Sequence, residues 1–338
     1  MKILVTGGAG FIGSNFVRYV RERHSRDRMI VLDKLTYAGN LRNLDGLLGR
    51  HVRFLRGDVC DPRAVARAIQ GCDAVVHFAA ETHVDRSIVA SGAFVKTDVL
   101  GTHVMLEAAR KEGVSRFVHI STDEVYGEAV GHPCMENDAL NPKSPYAASK
   151  AGADRLAYSY FATYGLPVVI SRCGNNYGPY QYPEKLIPLF VARALDQQPM
   201  PLYGDGRNSR DWIHVEDHCA ALDLLMRRPG VEGEVYNVSA QDEAQNLWIA
   251  RRICQWTGRP ESLIRRVADR PGHVRRHAVN SAKLRRLGWK PRIRLAEGLR
   301  DTVIWYARNR RWWEPTLRSR GFRQHASEVY QKGWRRGR

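Results

Sequence analysis

Two short segments hold side chains able to move protons. Tyr146-Ala147-Ala148-Ser149-Lys150 places a phenol and an ammonium one helical turn apart on one face. A neighbouring cation favours phenolate, so this spacing predicts a lowered Tyr146 pKa and a base for an alcohol. Upstream, Ser121-Thr122-Asp123-Glu124-Val125-Tyr126-Gly127 sets two carboxylates side by side behind a hydroxyl. Like charges push one pKa of such a pair upwards, which suits one group to act as acid and the other as base.

These groups need a frame and a redox partner. Lys2–Thr6 reads as a strand and Phe11–Arg23 as a helix, with Gly7-Gly8-Ala9-Gly10-Phe11-Ile12-Gly13 between them. One glycine permits a tight turn, another lets the backbone approach a pyrophosphate, and the last lets helix pack on strand. A diphosphate would then sit on free N–H groups at the helix N-terminus. Asp33 follows Gly13 by twenty residues and ends the second strand, where a carboxylate binds ribose hydroxyls. It would repel a 2′-phosphate, which favours NAD over NADP. Gly57-Asp58-Val59 follows the third strand and is placed to meet the adenine.

The elements behind these loops form a rhythm. Strands are expected at 2–6, 29–33, 52–56, 74–79, 116–121 and 167–172, and helices at 11–23, 64–70, 97–111 and 145–164. The strands are apolar on both faces, as parallel strands covered by helices must be. The fold class is α/β: a Rossmann-type doubly wound parallel sheet with a smaller mixed α/β substrate-binding lobe. Ligands bind beyond the carboxyl ends of such strands, which puts Thr122, Asp123 and Glu124 beside the nicotinamide. After Cys173 the rhythm breaks into Gly/Pro/Tyr/Asn-rich loops around one helix near Leu186–Leu195. Further helices are expected at 212–227, 247–256, 281–288 and 295–309, with a short strand at 234–238. The expected division is residues 1–173 plus about 211–238 for NAD, 174–210 and 239–315 for substrate, and a basic tail at 316–338. Weak periodicity predicts that the end of the chain, from residue 318, is loosely held.

Composition bounds the rest. The 338 residues are 43% apolar and 9% aromatic, enough for a sizeable core, which excludes wholesale disorder. No run approaches ~18 uncharged apolar residues, so no membrane span is expected, and a start that runs directly into Lys2-Ile3-Leu4-Val5 gives no expectation of secretion. Cysteines 60, 72, 134, 173, 219 and 254 form no C-x-x-C pair and read as reduced thiols of a cytoplasmic protein. His214 and His218 stand four apart without a third ligand at a useful spacing, so no metal is expected. The net charge of +18 is concentrated: positions 251–338 hold 25 Lys+Arg against 6 Asp+Glu. A solvated Arg-rich face or a cleft attracting an anionic ligand accounts for it more readily than nucleic-acid binding.

Other motifs complete a pattern. They are Asp33-Lys34-Leu35-Thr36-Tyr37-Ala38-Gly39-Asn40, Glu81-Thr82-His83-Val84-Asp85-Arg86-Ser87 and Asn175-Asn176-Tyr177-Gly178-Pro179. Pro183-Glu184-Lys185-Leu186-Ile187-Pro188, Arg210-Asp211-Trp212 and Asp269-Arg270-Pro271-Gly272-His273 follow. From residue 1 to about 315 the chain resembles the dTDP-glucose 4,6-dehydratases of the extended short-chain dehydrogenase/reductase family. The resemblance implies a redox-neutral lyase acting on dTDP-glucose with bound NAD, in which C4 gives up hydride and C6 receives it. Tyr146, helped by Lys150 and Thr122, would take the 4-hydroxyl proton. Glu124 would remove the C5 proton and Asp123 would protonate the departing 6-hydroxyl.

The same resemblance places NAD contacts at Gly7, Gly10, Phe11, Ile12, Gly13, Asp33, Lys34, Leu35, Thr36, Asp58, Val59, Ala79, Ala80, Glu81, Thr97, Tyr146, Lys150 and Asn176. It places substrate contacts at His83, Ser87, Thr122, Asn175, Lys185, Leu186, Pro201, Tyr203, Arg210, Asn246, Asp269, Arg270, Pro271, Gly272 and His273. It further implies a homodimer packed through the helices at about 97–111 and 145–164. Val274-Arg275-Arg276-His277-Ala278, Asp242-Glu243-Ala244-Gln245 and Gly174 depart from the family's usual residues, all on the substrate side. A UDP-sugar dehydratase, an epimerase and a decarboxylase are the enzymatic alternatives. An NAD-sensing protein with a basic tail is the non-enzymatic one, and it would need neither the Tyr/Lys nor the acidic pair.

Overall fold

Strands without a polar face must be covered on both sides, and the first half of the chain is built that way. A computed structural model describes residues 1–327. In chain order it shows β1 (Lys2–Thr6), α1 (Phe11–Arg23), β2 (Arg28–Asp33), β3 (Val52–Arg56), α2 (Pro62–Ile69) and β4 (Ala74–His77). Then come α3 (Val84–Val89), α4 (Ser91–Phe94), α5 (Gly101–Glu112), β5 (Arg116–Thr122), α6 (Pro145–Tyr164) and β6 (Val168–Cys173). With β10 (Val235–Val238) these strands form a seven-stranded sheet in the order β10-β6-β5-β4-β1-β2-β3, every neighbour parallel. Phe16, Val17 and Val20 of α1 pack one face, and Val65, Met105, Leu106 and Ala157 pack the other.

The second lobe has its own core. Its elements are β7 (Asn175–Tyr177), α7 (Leu186–Leu195), β8 (Met200–Tyr203), β9 (Ser209–His214), β11 (Glu243–Gln245), α9 (Asn246–Thr257), β12 (Ile264–Val267) and β13 (Arg276–His277). Helices α8 (Val215–Arg227), α10 (Ala282–Arg286), α11 (Leu295–Arg308), α12 (Arg310–Arg318) and α13 (Arg320–Ala326) complete the described chain. Phe190, Ile249, Ile253, Leu299, Val303, Tyr306 and Trp313 bring α7, α9, α11 and α12 into one apolar cluster.

The structure departs from the sequence reading in three places. Trp212, expected to open a helix, lies in β9, and α8 begins at Val215. Strand β9 pairs with β7, β11 and β13, and these long-range partners override a helical spacing. The helix expected from residue 97 begins as a π-helical turn over Val95–Leu100, and α5 starts only at Gly101. The wider turn brings Asp98 to 1% exposure. Within the described part of the segment expected to be loosely held, residues 318–327, helix α13 packs against the second core. Phe322 there is 6% exposed. Residues 328–338, the rest of the expected basic tail, lie outside the described residues.

Part of the basic excess is paired. Arg270, Arg275, Arg276, Lys283 and Arg310 form ion pairs with Asp85, Asp205, Glu243, Glu234 and Asp196 from earlier in the chain. His214 accepts the Glu216 N–H as a helix cap, and His218 bonds Asn176 at 2.9 Å. Among the described residues no helix is long and apolar enough to cross a membrane.

Candidate active site

The loops after β1, β2, β3, β4, β5 and β6 open into one cleft. Gly7, Gly10, Phe11, Ile12 and Gly13 line it. Gly7 has φ +66°, and a Cβ there would lie 2.7 Å from the Ala79 nitrogen. At Gly13 a Cβ would strike the Gly7 carbonyl. Only glycine lets loop, strand end and α1 come this close. Gly10 starts α1 with no side-chain cap, so the first-turn N–H groups are available to an anion.

Asp33 lines the cleft and also shapes it. Its carboxylate accepts from Leu35 N at 2.8 Å and from Ala9 N at 3.0 Å. Burial raises its pKa, and these two N–H groups oppose the rise. Lys34 is engaged by Asp58 at 2.7 Å. Thr36, Val59, Ala79, Ala80, Glu81, Thr97 and Asn176 line the same cleft. Leu35 is not a lining residue: it has φ +56° and gives its N–H to Asp33.

Thr122, Asp123, Glu124, Tyr146 and Lys150 converge at the other end. Thr122 Oγ1 accepts from Glu124 N at 3.3 Å, which caps the short helical turn Asp123–Tyr126, and donates to Asp123 at 3.2 Å. Asp123 is 4% exposed. Burial first, then the Glu124 charge, hold its pKa well above the ordinary carboxylate range, against the pull of Arg210. Both influences favour the protonated acid over the carboxylate.

Tyr146 stands at the start of α6, behind Pro145 and the Ser144 cap, whose hydroxyl accepts from Ala147 N at 3.1 Å. Lys150 follows one turn later, 6% exposed, and donates to the Ile120 carbonyl at 2.6 Å. The lowered phenol pKa expected from the sequence is not what the structure shows. Burial, then Glu124 and Asp98, raise it well above the ordinary value, with a hydrogen bond from Thr122 opposing. Phenolate loses its hydration here, and the Lys150 ammonium is directed at a main-chain carbonyl instead.

The expected substrate contacts fall into two sets. Asn175 and Lys185 line the cleft with the acidic pair. Asn175 Oδ1 is buried without a hydrogen-bond partner among the described residues. Tyr203, Arg270 and Asp85 form a second group beside it, since Asp85 accepts from Tyr203 at 2.8 Å and from Arg270 at 2.8 Å. His273 sits on Asp269 at 2.5 Å and edge-on to Tyr203, while Gly272 takes the left-handed turn between them. Arg210 donates to the Val274 carbonyl at 3.0 Å. Burial and the neighbouring Arg270 lower its pKa to about 10, while Glu124 and Asp123 oppose. His83, 7% exposed, is kept neutral by burial, its pKa near 4. Asn246 and Leu186 begin α9 and α7, Pro201 lies in β8, and Pro271 lies in the 269–273 loop. Ser87 is fully buried and spends its hydroxyl on the Val84 carbonyl at 2.7 Å.

The sequence family described as GDP-mannose 4,6 dehydratase matches residues 4–302. A dTDP-glucose 4,6-dehydratase of Streptomyces niveus is 51% identical over 321 residues, covering 93% of this chain and 95% of its own. The chain belongs to the dTDP-glucose 4,6-dehydratase family. The dehydratase DesIV of Streptomyces venezuelae, solved with NAD bound, matches with a TM-score of 0.91 at 49% identity, over 94% of this chain and 100% of its own. A UDP-glucose 4-epimerase of Thermus thermophilus, also solved with NAD, matches at 0.84 and 33% identity, over 91% and 99%. The frame is thus common to dehydratases and epimerases and does not by itself fix the reaction.

Several residues of this family member escaped the sequence reading. Arg86 lies 3.7 Å over the Tyr37 ring and binds Glu184 through bonds of 2.7 to 3.2 Å. Tyr182 meets Tyr37 edge-on. All four sit inside or beside motifs quoted for their neighbours, and only their mutual contact marks them. Asp98 accepts from Glu81 N at 2.8 Å and Ser149 Oγ at 2.6 Å, joining the cofactor loop to α6.

Proposed function

We propose that this chain dehydrates dTDP-glucose to dTDP-4-keto-6-deoxyglucose as an NAD-dependent hydro-lyase. One observation carries the reading: a buried Asp123, whose pKa burial raises, and its neighbour Glu124 share a cleft with Tyr146 and Lys150 behind a dinucleotide loop. An oxidoreductase acting on an alcohol needs only the Tyr/Lys pair, and the acid–base pair adds elimination. The residues present fit NAD. The α1 amides would hold the diphosphate, and Asp33 and Asp58 the adenosine end. When bound, NAD supplies a reversible hydride acceptor.

The side chains then divide the proton traffic. Tyr146 would take the C4 hydroxyl proton as its phenolate. The Lys150 charge one turn away and the positive charge of bound cofactor would favour that form against the burial that holds it as a phenol. A C4 ketone acidifies C5–H, and Glu124 removes that proton. Asp123 donates its own to the 6-hydroxyl, which leaves as water. Arg210, Arg270 and Lys185 supply positive potential for the substrate diphosphate. In this reading residues 1–173 with about 211–238 hold NAD, and 174–210 with 239–315 hold the sugar nucleotide. The enzyme is cytoplasmic and a homodimer packed through α5 and α6, whose flanks expose Val95 (57%), Leu100 (46%) and Tyr158 (41%).

Incubation of the purified protein with dTDP-glucose, followed by proton NMR, tests this. A new C6 methyl doublet without net cofactor reduction is expected. A C4 epimer alone would overturn the roles of Asp123 and Glu124, and turnover of UDP-glucose in place of dTDP-glucose would overturn the substrate.

A further inference from the structure

The Trp-rich C-terminal segment, which the reaction does not use, reaches back to the dinucleotide loop. Trp312 on α12 donates its indole N–H to Asn43 Oδ1 at 2.8 Å, and the Asn43 amide donates to the Ala9 carbonyl at 2.9 Å. Ala9 lies within the Gly7–Gly13 loop, and its remaining bonds are filled too. Its carbonyl also accepts from Asn40 N at 3.0 Å, and its N–H goes to Asp33. Asn43 is 1% exposed, so its polar atoms must find partners inside the protein, and its main-chain carbonyl accepts from Arg18 at 2.9 Å.

The anchor itself is rigid. The Trp312 ring meets Tyr180 and Trp305 edge-on at 5.7 and 5.3 Å, and Arg18 lies 4.8 Å over Tyr180. Tyr180 holds φ +68°, a conformation that bulky residues adopt only where surroundings impose it. A parallel tie joins the Arg42 guanidinium to the Arg311 carbonyl at 3.0 Å.

We propose that α12 is a strap across the two lobes, and that Trp312 and Asn43 are positioning residues for the cofactor. They hold the Ala9 carbonyl, and with it the loop conformation in which the α1 amides face the diphosphate. A glycine-rich loop has conformational freedom to lose on binding, and clamping it beforehand lowers that cost. The inference rests on the reading that this loop binds NAD.

Trp312→Phe keeps the ring in its aromatic cluster and removes the N–H donor. The test is the rate at which NAD leaves the purified holoprotein, and its Kd on rebinding, with kcat at saturating NAD measured alongside. Loss of one neutral hydrogen bond predicts NAD release and Kd raised about three- to tenfold, with kcat within about twofold. A fall in Tm with unchanged NAD release and Kd overturns the strap and leaves α12 a packing element. Should Trp312→Phe not fold, Arg42→Ala opens the parallel tie at an exposed residue. Faster NAD release is then required of it, and unchanged release overturns the proposal. A wild-type protein that neither carries nor rebinds NAD would instead remove the functional reading beneath it.

Discussion

Lys150 donates to the Ile120 carbonyl at 2.6 Å, so the ammonium one turn beyond Tyr146 is anchored to the end of β5. That bond sets α6 against the strand whose next residues are the acidic pair. Lys150→Met keeps the volume but removes the charge and the donor. Formation of the C6 methyl product should fall about 10²- to 10⁴-fold, the range for losing a positioned proton-transfer group. Product NMR beside circular dichroism checks that the fold survives.

Asp123 and Glu124 have separable jobs. In deuterated solvent, Asp123→Asn should still exchange the C5 hydrogen of dTDP-glucose while methyl formation falls at least about 100-fold. Glu124→Gln should lose both. Mass spectrometry of the recovered sugar nucleotide decides it, and C5 exchange that persists in Glu124→Gln would assign the base elsewhere.

Asp98 makes stability depend on pH. Burial is the largest influence on it and raises its pKa from 3.8 to about 6, while Lys150, the Ser149 hydroxyl and the Glu81 N–H oppose and the Glu81 charge adds. The folded protein therefore binds the proton more tightly than the unfolded chain. The stabilisation is complete below pH 3.8 and is lost as pH rises through about 6. Asp98→Asn stays neutral, still accepts from Glu81 N, and leaves Ser149 free to donate to the Tyr146 carbonyl, 2.8 Å away. It should gain up to about 2–3 kcal/mol over the wild type at pH 8, shrinking to nothing near pH 4. Melting curves across that range check the sign.

Arg172 and Asp154 meet at 2.8 and 2.9 Å with side chains 2% and 0% exposed. Asp154→Ala strands a guanidinium in the core and should cost about 3–5 kcal/mol by denaturant unfolding. Replacing both, as Asp154→Leu with Arg172→Met, should recover part of the loss. An Asp154→Ala cost under about 1 kcal/mol would mean that water reaches the site.

Much of this protein was legible because its signals are local. Helix α6 begins and ends where Ser144-Pro145 and Gly165 say it must: the serine caps, the proline suits the first turn, and the glycine takes φ +69°. The glycine loop, Asp33 and the Tyr/Lys pair are readable because each rests on spacing within one helix or one strand–helix–strand stretch of the chain. Strand β9 was not, because its partners come from β7, β11 and β13. Nor was the tie from Trp312 to Asn43, which joins residues 269 positions apart.

The sequence by itself determined the alternation of strands and helices, the loop that meets a diphosphate, and which side chains can exchange protons. Only the tertiary structure decided how they stand to one another: that Asp123 rather than Glu124 is buried, that Lys150 turns to Ile120, and that burial raises rather than lowers the Tyr146 pKa. Spacing along the chain reports neighbours one turn away. Desolvation is set by whatever packs around a group, and those atoms come from distant parts of the chain.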